Sequence, residues 1–180
     1  MRFGFTDTSK IIPAIATLMV VIALSPMARA QTFPSFTSED LNGDVQTIPS
    51  GFPGDPTIVF IAYKRGQQAD VDTWITGLGL DPDIGPEFVE LPVVGTLTKA
   101  IKSYVDQGMQ SGITATSMRA RTITLYENAK TINTPLGFDG RSDIRTLLVR
   151  PDGEVLWKTS GRATDAALQE LKTLYTASVK

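Results

Sequence analysis

The feature that most constrains the fold of this chain is the stretch IVFIAYKRGQQADVDTW, which runs from Ile58 to Trp74. Its first six residues belong to a continuous apolar and β-branched run, Thr57 to Tyr63, and such runs are typical of strands buried on both faces of a sheet. The polar loop KRGQQ comes next, and apolar residues then recur at helical spacing: Val71, Trp74, Ile75 and Leu78. The stretch therefore predicts a buried strand, a loop and a helix that packs back on the sheet.

The flanking patterns predict more strands and helices on either side of this unit. Asn42-Gly43, within FPSFTSEDLNGDVQTIP, indicates an opening β-hairpin. Asp40-x-Asn42-x-Asp44 has its glycine in the wrong place for a calcium loop, so we interpret it as a turn. FVELP, 88–92, predicts a second strand, and an amphipathic helix ending near Gly108 is predicted from the spacing of four residues: Leu97, Ile101, Tyr104 and Val105.

The C-terminal third predicts a β-hairpin covered by a last helix. RTITLY, 121–126, has the alternation of a strand, and a polar segment with two turn signals, Thr134-Pro135 and Asp139-Gly140, follows it. RTLLV and EVLWK are joined by a turn containing Asp152-Gly153, which favours a hairpin. Thr164 is the expected N-cap of the final helix. We predict that Trp74 and Trp157 belong to the core.

The first thirty residues have the pattern of a secretory signal peptide. Arg2 and Lys10 precede the apolar run Ile11 to Leu24, and Ala28-x-Ala30 fits a cleavage site before Gln31. The run is shorter than the roughly 20 residues that a membrane-spanning helix needs. We predict two parts, a signal peptide 1–30 and one mature domain 31–180, exported to the periplasm by the general secretory route; an uncleaved membrane anchor is the alternative.

Composition excludes several kinds of chemistry. The chain has 180 residues, a net charge of -2, no cysteine and no histidine. Without cysteine there is no thiol redox chemistry, thiolate metal site or disulfide, and without histidine there is no imidazole base. The scattered charges argue against nucleic acid as a partner. We predict no cofactor and no metal site.

The order of predicted elements resembles the thioredoxin-like superfamily, in its peroxiredoxin and AhpC/TSA-type form with an added N-terminal hairpin. FPSFTSEDLNGDVQTIP, TIVFIAY and DIRTLLVRPDGEVLWKTSG are similar to that family's opening segment, central strand and closing strand pair. The resemblance implies an α/β thioredoxin-like fold with a central mixed sheet flanked by helices. It covers roughly residues 33–179.

The same resemblance places the redox motif on residues that cannot carry redox chemistry. The two cysteines of a C-x-x-C motif would fall at Arg65 and Gln68, and Arg145 stands where most relatives have a cis-proline, as in peroxiredoxins, where an arginine near that place helps hold the thiolate. Thiol oxidoreductase and peroxidase activities are therefore excluded. The order of motifs, with Trp74 after the loop and the segment Asp143 to Gly161, also resembles the mitochondrial ATP synthase assembly-factor family, which implies a binding or chaperone-like role.

Our functional hypothesis is an anion site at the altered redox loop. Helix N-termini carry partial positive charge and unpaired N–H groups, which favour anions. The ligand would be a small anion or an acidic side chain of a partner protein, and we predict five binding residues: Lys64, Arg65, Gln67, Gln68 and Arg145. Two alternatives stay open. Asp70 or Asp72 could instead neutralise the helix and pair with Arg145, or the protein could be an enzyme that uses the cations as an oxyanion clamp.

Overall fold

The computed structural model of the protein describes Met1 and residues 31–179, so the predicted signal peptide lies outside the described residues except for Met1. No helix in the described ranges is long and apolar enough to cross a membrane. The strands are β1 Phe36–Glu39, β2 Val45–Ile48, β3 Thr57–Ala62, β4 Phe88–Pro92, β5 Arg145–Val149 and β6 Val155–Ser160. The α-helices are α1 Gln68–Leu78, α2 Lys102–Gly112, α3 Thr116–Ala120, α4 Ala129–Asn133 and α5 Asp165–Ser178; 3-10 helices span Arg65–Gln67 and Thr96–Ile101.

A mixed four-stranded sheet forms the centre of the molecule, in the order β4-β3-β5-β6. β3 runs parallel to β4 and antiparallel to β5, and β5 forms the predicted hairpin with β6. The segment 122–125, predicted as a strand, joins the edge of β4 through two isolated bridges, from Thr122 to Glu90 and from Leu125 to Val93. This topology is the predicted one for the strand, loop and helix unit and for the closing hairpin.

One face of the sheet is covered by α1 and α5. Ile58 and Phe60 of β3 point to this face, where they share a buried cluster with Trp74 and Leu171. Trp74 is fully buried, as predicted, and its indole N–H donates to the carbonyl of Gly161 at 2.9 Å. Trp157 is only half-buried and packs edge-on against Trp74 with ring centroids 6.0 Å apart. Burial of the indole surface and its satisfied N–H hold the two helices to the sheet.

The opposite face is covered by the N-terminal hairpin, α4 and the segments next to them. Val59 and Ile61 of β3 point to this face, together with Ile48 of β2 and Ile132 of α4. The predicted turn between β1 and β2 is confirmed, because one carboxylate oxygen of Asp40 accepts hydrogen bonds from the backbone N–H groups two and four residues later. Thr164 caps α5 as predicted by accepting from the N–H of Ala167.

One helix was not predicted, and one predicted helix needs correction. The polar segment after RTITLY, in which the sequence shows two turn signals, also includes the short helix α4, whose Ile132 is fully buried. The second amphipathic helix forms, but it continues to Gly112 instead of ending near Gly108. Gly108 does not have the positive φ angle of a helix-ending glycine, so the helix continues through it.

Candidate functional site

The site of interest is the turn that leaves β3 and enters α1. Lys64 is extended and precedes the 3-10 helix Arg65–Gln67, which continues directly into the 11-residue α1. Lys64, Arg65 and Gln68 are exposed, whereas Gln67 is only 5% exposed. The turn therefore presents two cations to solvent and directs Gln67 into the protein.

Gln67 fixes the shape of the turn from inside. Its carbonyl oxygen Oε1 accepts hydrogen bonds from the backbone N–H groups of Tyr63 at 2.7 Å and Lys64 at 3.2 Å. Its amide nitrogen Nε2 donates to the backbone carbonyls of Arg141 at 3.1 Å and Ser142 at 2.9 Å. One side chain thus forms hydrogen bonds with four backbone groups. These bonds contribute more to folding stability than bonds between solvent-exposed groups, because leaving a buried polar group unpaired costs free energy.

The loop ahead of β5 is held against this turn by its carbonyl groups. Gln67 binds two of them, Asn133 Nδ2 of α4 donates to the carbonyl of Gly140 at 2.8 Å, and Arg145 donates to the carbonyl of Asp139 at 2.6 Å. Four consecutive carbonyls, 139–142, are therefore bound by side chains rather than by a neighbouring strand. The exposed side chain of Arg141 belongs to this loop, beside the 3-10 helix.

Arg145 is a buried cation under the loop. It pairs with Ile61 in the β3–β5 ladder and is only 4% exposed. Its guanidinium carbon lies 4.8 Å from the ring centroid of Phe138 and 6.0 Å from that of Tyr63, and its Nε has no hydrogen-bond partner. Aromatic faces attract a cation but do not neutralise it. Within the described residues, Arg145 makes no salt bridge with a carboxylate.

Tyr63 connects the turn to α4. Its hydroxyl donates to Oδ1 of Asn133, and the ring is buried. Burial raises the pKa of Tyr63 above its ordinary value of 10, although the nearby Arg145 charge opposes that shift. The phenol therefore stays neutral at physiological pH and serves as a hydrogen-bond donor.

The five predicted site residues occupy two levels. Lys64, Arg65 and Gln68 lie at the surface, while Gln67 and Arg145 are buried. Gln67 holds the turn and the loop, and Arg145 holds the loop through the carbonyl of Asp139. The alternative pairing of Arg145 with an aspartate of α1 is not found. Asp70 instead lies 3.6 Å from Arg162, and Asp72 accepts from the amide of Gln68 at 3.1 Å.

Sequence reasoning missed three members of this region. Arg141 adds a third exposed cation, although Asp139 and Asp143 of the same loop are exposed too. Asn133 was missed because the helix that carries it was not predicted. Glu90 of β4 is 6% exposed, accepts from Gln68 at 3.3 Å through one oxygen and has no partner for the other. A lone glutamate in the middle of the apolar run FVELP was the available signal.

The comparisons with known proteins identify the fold. No protein-family model matches the chain, and no curated protein matches it. Similar solved structures include the exposed lipoprotein thioredoxin of Streptococcus pneumoniae strain TIGR4, with 13% identity over 79% of this chain and 99% of that one at a TM-score of 0.52. The thioredoxin domain of a thiol-disulfide oxidoreductase from Bacteroides vulgatus is also similar, with 15% identity, coverages of 81% and 96% and a TM-score of 0.52.

A third similar structure is BsSco, a member of the Sco family of cytochrome c oxidase assembly proteins, whose structure served to identify a disulfide switch. Identity is 14%, coverage is 82% of this chain and 95% of that one, and the TM-score is 0.52. These likenesses confirm the predicted thioredoxin-like α/β fold with its mixed sheet, flanking helices and N-terminal hairpin. The chain has this fold and contains no cysteine.

Proposed function

We propose that this protein is a non-redox thioredoxin-like protein that acts by binding an anionic group at the turn between β3 and α1. The observation that carries the proposal is a pair of exposed cations at this turn, Lys64 and Arg65, which form no salt bridge with any described residue. A third cation, Arg145, is buried beside the ring of Tyr63, and its Nε has no partner among the described residues. Lys64 and Arg65 would contact the anion together with Gln68. Gln67 would act by fixing the turn, and Arg145 by its charge and by holding the carbonyl of Asp139.

The anion would be a small carboxylate or phosphate, or an acidic side chain of a partner protein. A guanidinium and an ammonium beside helical N–H groups suit either ligand. We further propose that the mature chain begins at Gln31, is periplasmic and serves as an interaction or assembly factor. The Sco-family likeness and the resemblance to ATP synthase assembly factors support that role as precedents. We also propose that the protein is of the peroxiredoxin-like subtype. Arg145 would then occupy the position of the arginine that helps hold the thiolate in peroxiredoxins.

A thermal-shift titration with inorganic phosphate tests the anion site. A ligand that binds only the folded state raises the melting temperature, and we expect phosphate to do so relative to sodium chloride at equal ionic strength. The double variant Lys64→Ala/Arg65→Ala should lose most of this rise. Lys172→Ala, which removes an exposed cation from α5, should retain it. An equal rise in all three proteins would rule out the proposed anion site.

Capture from a periplasmic extract tests the role as a protein-binding factor. Wild-type protein should retain a stoichiometric partner that mass spectrometry identifies, and the Lys64→Ala/Arg65→Ala variant should release it at lower salt, because exposed charge pairs are screened. If the double variant retains the same partner, the binding surface lies elsewhere on the protein and not at the turn. Turnover of a small anionic compound in place of partner retention would favour the enzyme alternative.

A further inference from the structure

The chain is tied to the start of strand β6 from Gln31 onward. The backbone carbonyl of Gln31 accepts a hydrogen bond from the N–H of Val155 at 3.1 Å, and Thr32 forms an antiparallel bridge with Glu154. Phe33 follows and is buried, with 2% of its surface exposed. Residues that pair with a sheet are held in place, unlike most residues near a chain terminus. Position 31 therefore has a fixed place at the edge of the sheet.

The side chain of Gln31 lies over Gly137, in the turn that follows α4. Gly137 has a φ of 65°, and a Cβ atom added to it would lie 2.7 Å from Nε2 of Gln31 and 3.3 Å from Nζ of Lys158. Both nitrogens thus lie close to the same point, so the amide of Gln31 is a near neighbour of the Lys158 ammonium. Gln31, Gly137 and Lys158 are called here the Gly137 niche.

The Gly137 niche is positively charged. Nζ of Lys158 donates to the carbonyl of Leu136 and lies 4.8 Å from the ring centroid of Phe138. The guanidinium carbon of Arg145 lies at the same distance from that ring. Neither Lys158 nor Arg145 forms a salt bridge with a described residue. A further positive charge in the niche would be repelled by these cations.

We propose that Gln31 is a modification site, at which the mature chain closes to an N-terminal pyroglutamate, and that the ammonium of Lys158 promotes the closure. This inference rests on one part of the proposed function, the start of the mature chain at Gln31, and is independent of the anion site. Cleavage before Gln31 would turn its backbone nitrogen into a free α-amine, next to the side-chain amide of the same residue.

The reaction is an internal exchange of one amide for another. The uncharged α-amine of Gln31 attacks Cδ of its own side chain, so that the N–Cδ bond forms and the Cδ–Nε2 bond breaks. Nε2 leaves as ammonia and takes up the proton that the amine gives up. Nothing is oxidised or reduced, and no further reactant is consumed. The product is a lactam whose nitrogen carries no charge.

Two features of the site favour this closure. The nucleophile and the carbonyl carbon belong to one residue, and well-oriented groups within one molecule react at high effective concentration. Lys158 stands beside the amide, and a neighbouring cation disfavours a second ammonium. It therefore favours the uncharged amine that reacts and the neutral lactam that results. The closed ring would leave the edge of the sheet without an α-ammonium.

Mass spectrometry of the exported protein tests the modification. The chain is expressed from its full sequence in a Gram-negative host and purified from the periplasm. Its N-terminal peptide should begin at position 31 and be lighter than the unmodified peptide by one molecule of ammonia. Stepwise N-terminal sequencing should be blocked until pyroglutamyl aminopeptidase removes the first residue. The control variant Gln31→Ser, which cannot form the lactam, should begin at the same position with a free amine.

The outcomes separate this inference from the proposed function. A wild-type chain that begins at Gln31 and keeps a free amine would overturn the modification and leave the proposed start of the mature chain intact. A chain that begins at another residue would overturn both. Neither outcome bears on the anion site, which the phosphate titration tests by itself.

A charge-removing variant tests the part played by Lys158. Lys158→Gln keeps a hydrogen-bond donor for the carbonyl of Leu136 but removes the ammonium. In protein collected at intervals after export, this variant should close roughly threefold more slowly than wild type near pH 7, because one neighbouring cation is gone. Lys172→Gln, at an exposed position on α5, should close at the wild-type rate. Equal rates in all three proteins, with unchanged melting temperatures, would overturn the role of Lys158.

Discussion

The carboxyl group of Glu90 is buried within the sheet and forms no salt bridge with any described residue. Glu90 lies between Phe60 of β3 and Thr122 of the edge segment, and among the described residues only Gln68 donates a hydrogen bond to its side chain. Burial raises the pKa of Glu90 above its ordinary value of 4.5, and the charge of Asp72 adds to this rise. The folded state therefore holds the Glu90 proton more tightly than the unfolded state does, so folding stability from this group is greatest below pH 4.5 and falls as pH rises through the folded-state pKa.

Glu90→Gln should remove this pH dependence. We expect the variant to have a larger free energy of unfolding than wild type at pH 8, on the order of 1 kcal/mol, and no advantage at pH 4, where wild-type Glu90 is protonated. Urea unfolding at a series of pH values measures the difference. Glu170→Gln, at an exposed position on α5, provides the control and should follow wild type. A constant difference between Glu90→Gln and wild type at every pH would contradict the assignment.

At the residue scale, sequence reasoning predicted surface positions of the site better than buried ones. Lys64, Arg65 and Gln68 lie on the turn where they were expected. Gln67 has the same side-chain chemistry as Gln68 but is buried, because the 3-10 helix directs position 67 toward backbone groups 74 and 75 residues away in the sequence. Partners so distant in sequence leave no local pattern.

At the scale of an element, two glycines near the ends of helix α1, Gly66 and Gly79, differ in backbone conformation. The C-cap residue of α1, Gly79, has a φ of 67° in the left-handed region, and its N–H binds the carbonyls of the last turn. Gly66, in the 3-10 helix that precedes α1, has no positive φ. An added Cβ would meet open space at both positions, so only the backbone conformation distinguishes the two glycines.

Gly79→Ala should therefore lower the free energy of unfolding by about 1 kcal/mol, because alanine is strained at a positive φ. Gly66→Ala should be neutral or stabilising by up to roughly 1 kcal/mol, since it reduces the conformational freedom of the unfolded chain. Chemical denaturation of both variants beside wild type provides the measurement. Equal losses of stability in the two variants would mean that side-chain packing, and not φ, decides the outcome.

Helix α2 shows why periodicity alone is insufficient at this scale. The spacing of Leu97, Ile101, Tyr104 and Val105 predicted one amphipathic helix, but the structure has a 3-10 helix, Thr96–Ile101, followed by α2. Leu97, Ile101 and Tyr104 are exposed. Spacing did not determine which side of α2 faces the protein, because α2 is oriented by the contacts of Asp106 with Tyr126 and of Gln110 with Leu41. Hydrophobic spacing predicts which residues share a face, and distant polar partners determine its direction.

For the molecule as a whole, the sequence predicted the thioredoxin-like fold through local signals. The strand order, the parallel β3–β4 pair and the closing hairpin were predictable because continuous apolar runs and a turn containing Asp-Gly are local signals. α4 was not predictable in this way, since its five residues are stabilised mainly by burial of Ile132 and by contacts of Asn133.

Wild-type protein should be inactive in insulin-disulfide reduction and in peroxide reduction, and a reductant should not change its melting temperature, because it contains no cysteine. The variant Arg65→Cys/Gln68→Cys provides the matched positive control. Its two thiols would lie at the start of the 3-10 helix and the start of α1, three residues apart in a helical turn that suits a disulfide. Thiol titration should show an oxidisable pair in the variant. Failure to form that disulfide would mean that the turn does not hold positions 65 and 68 at the separation that a disulfide needs.

The backbone carbonyls of residues 139–142 accept hydrogen bonds from side chains, and this has a consequence for the order of folding. Their hydrogen-bonding side chains come from three elements that are separate along the chain: Gln67 from the turn before α1, Asn133 from α4 and Arg145 from β5. The loop can reach its native shape only after all three have docked, so it should be among the last segments to order and among the first to open. In native-state hydrogen exchange, its amide groups should therefore exchange by local opening well below the energy of global unfolding, together with those of α4.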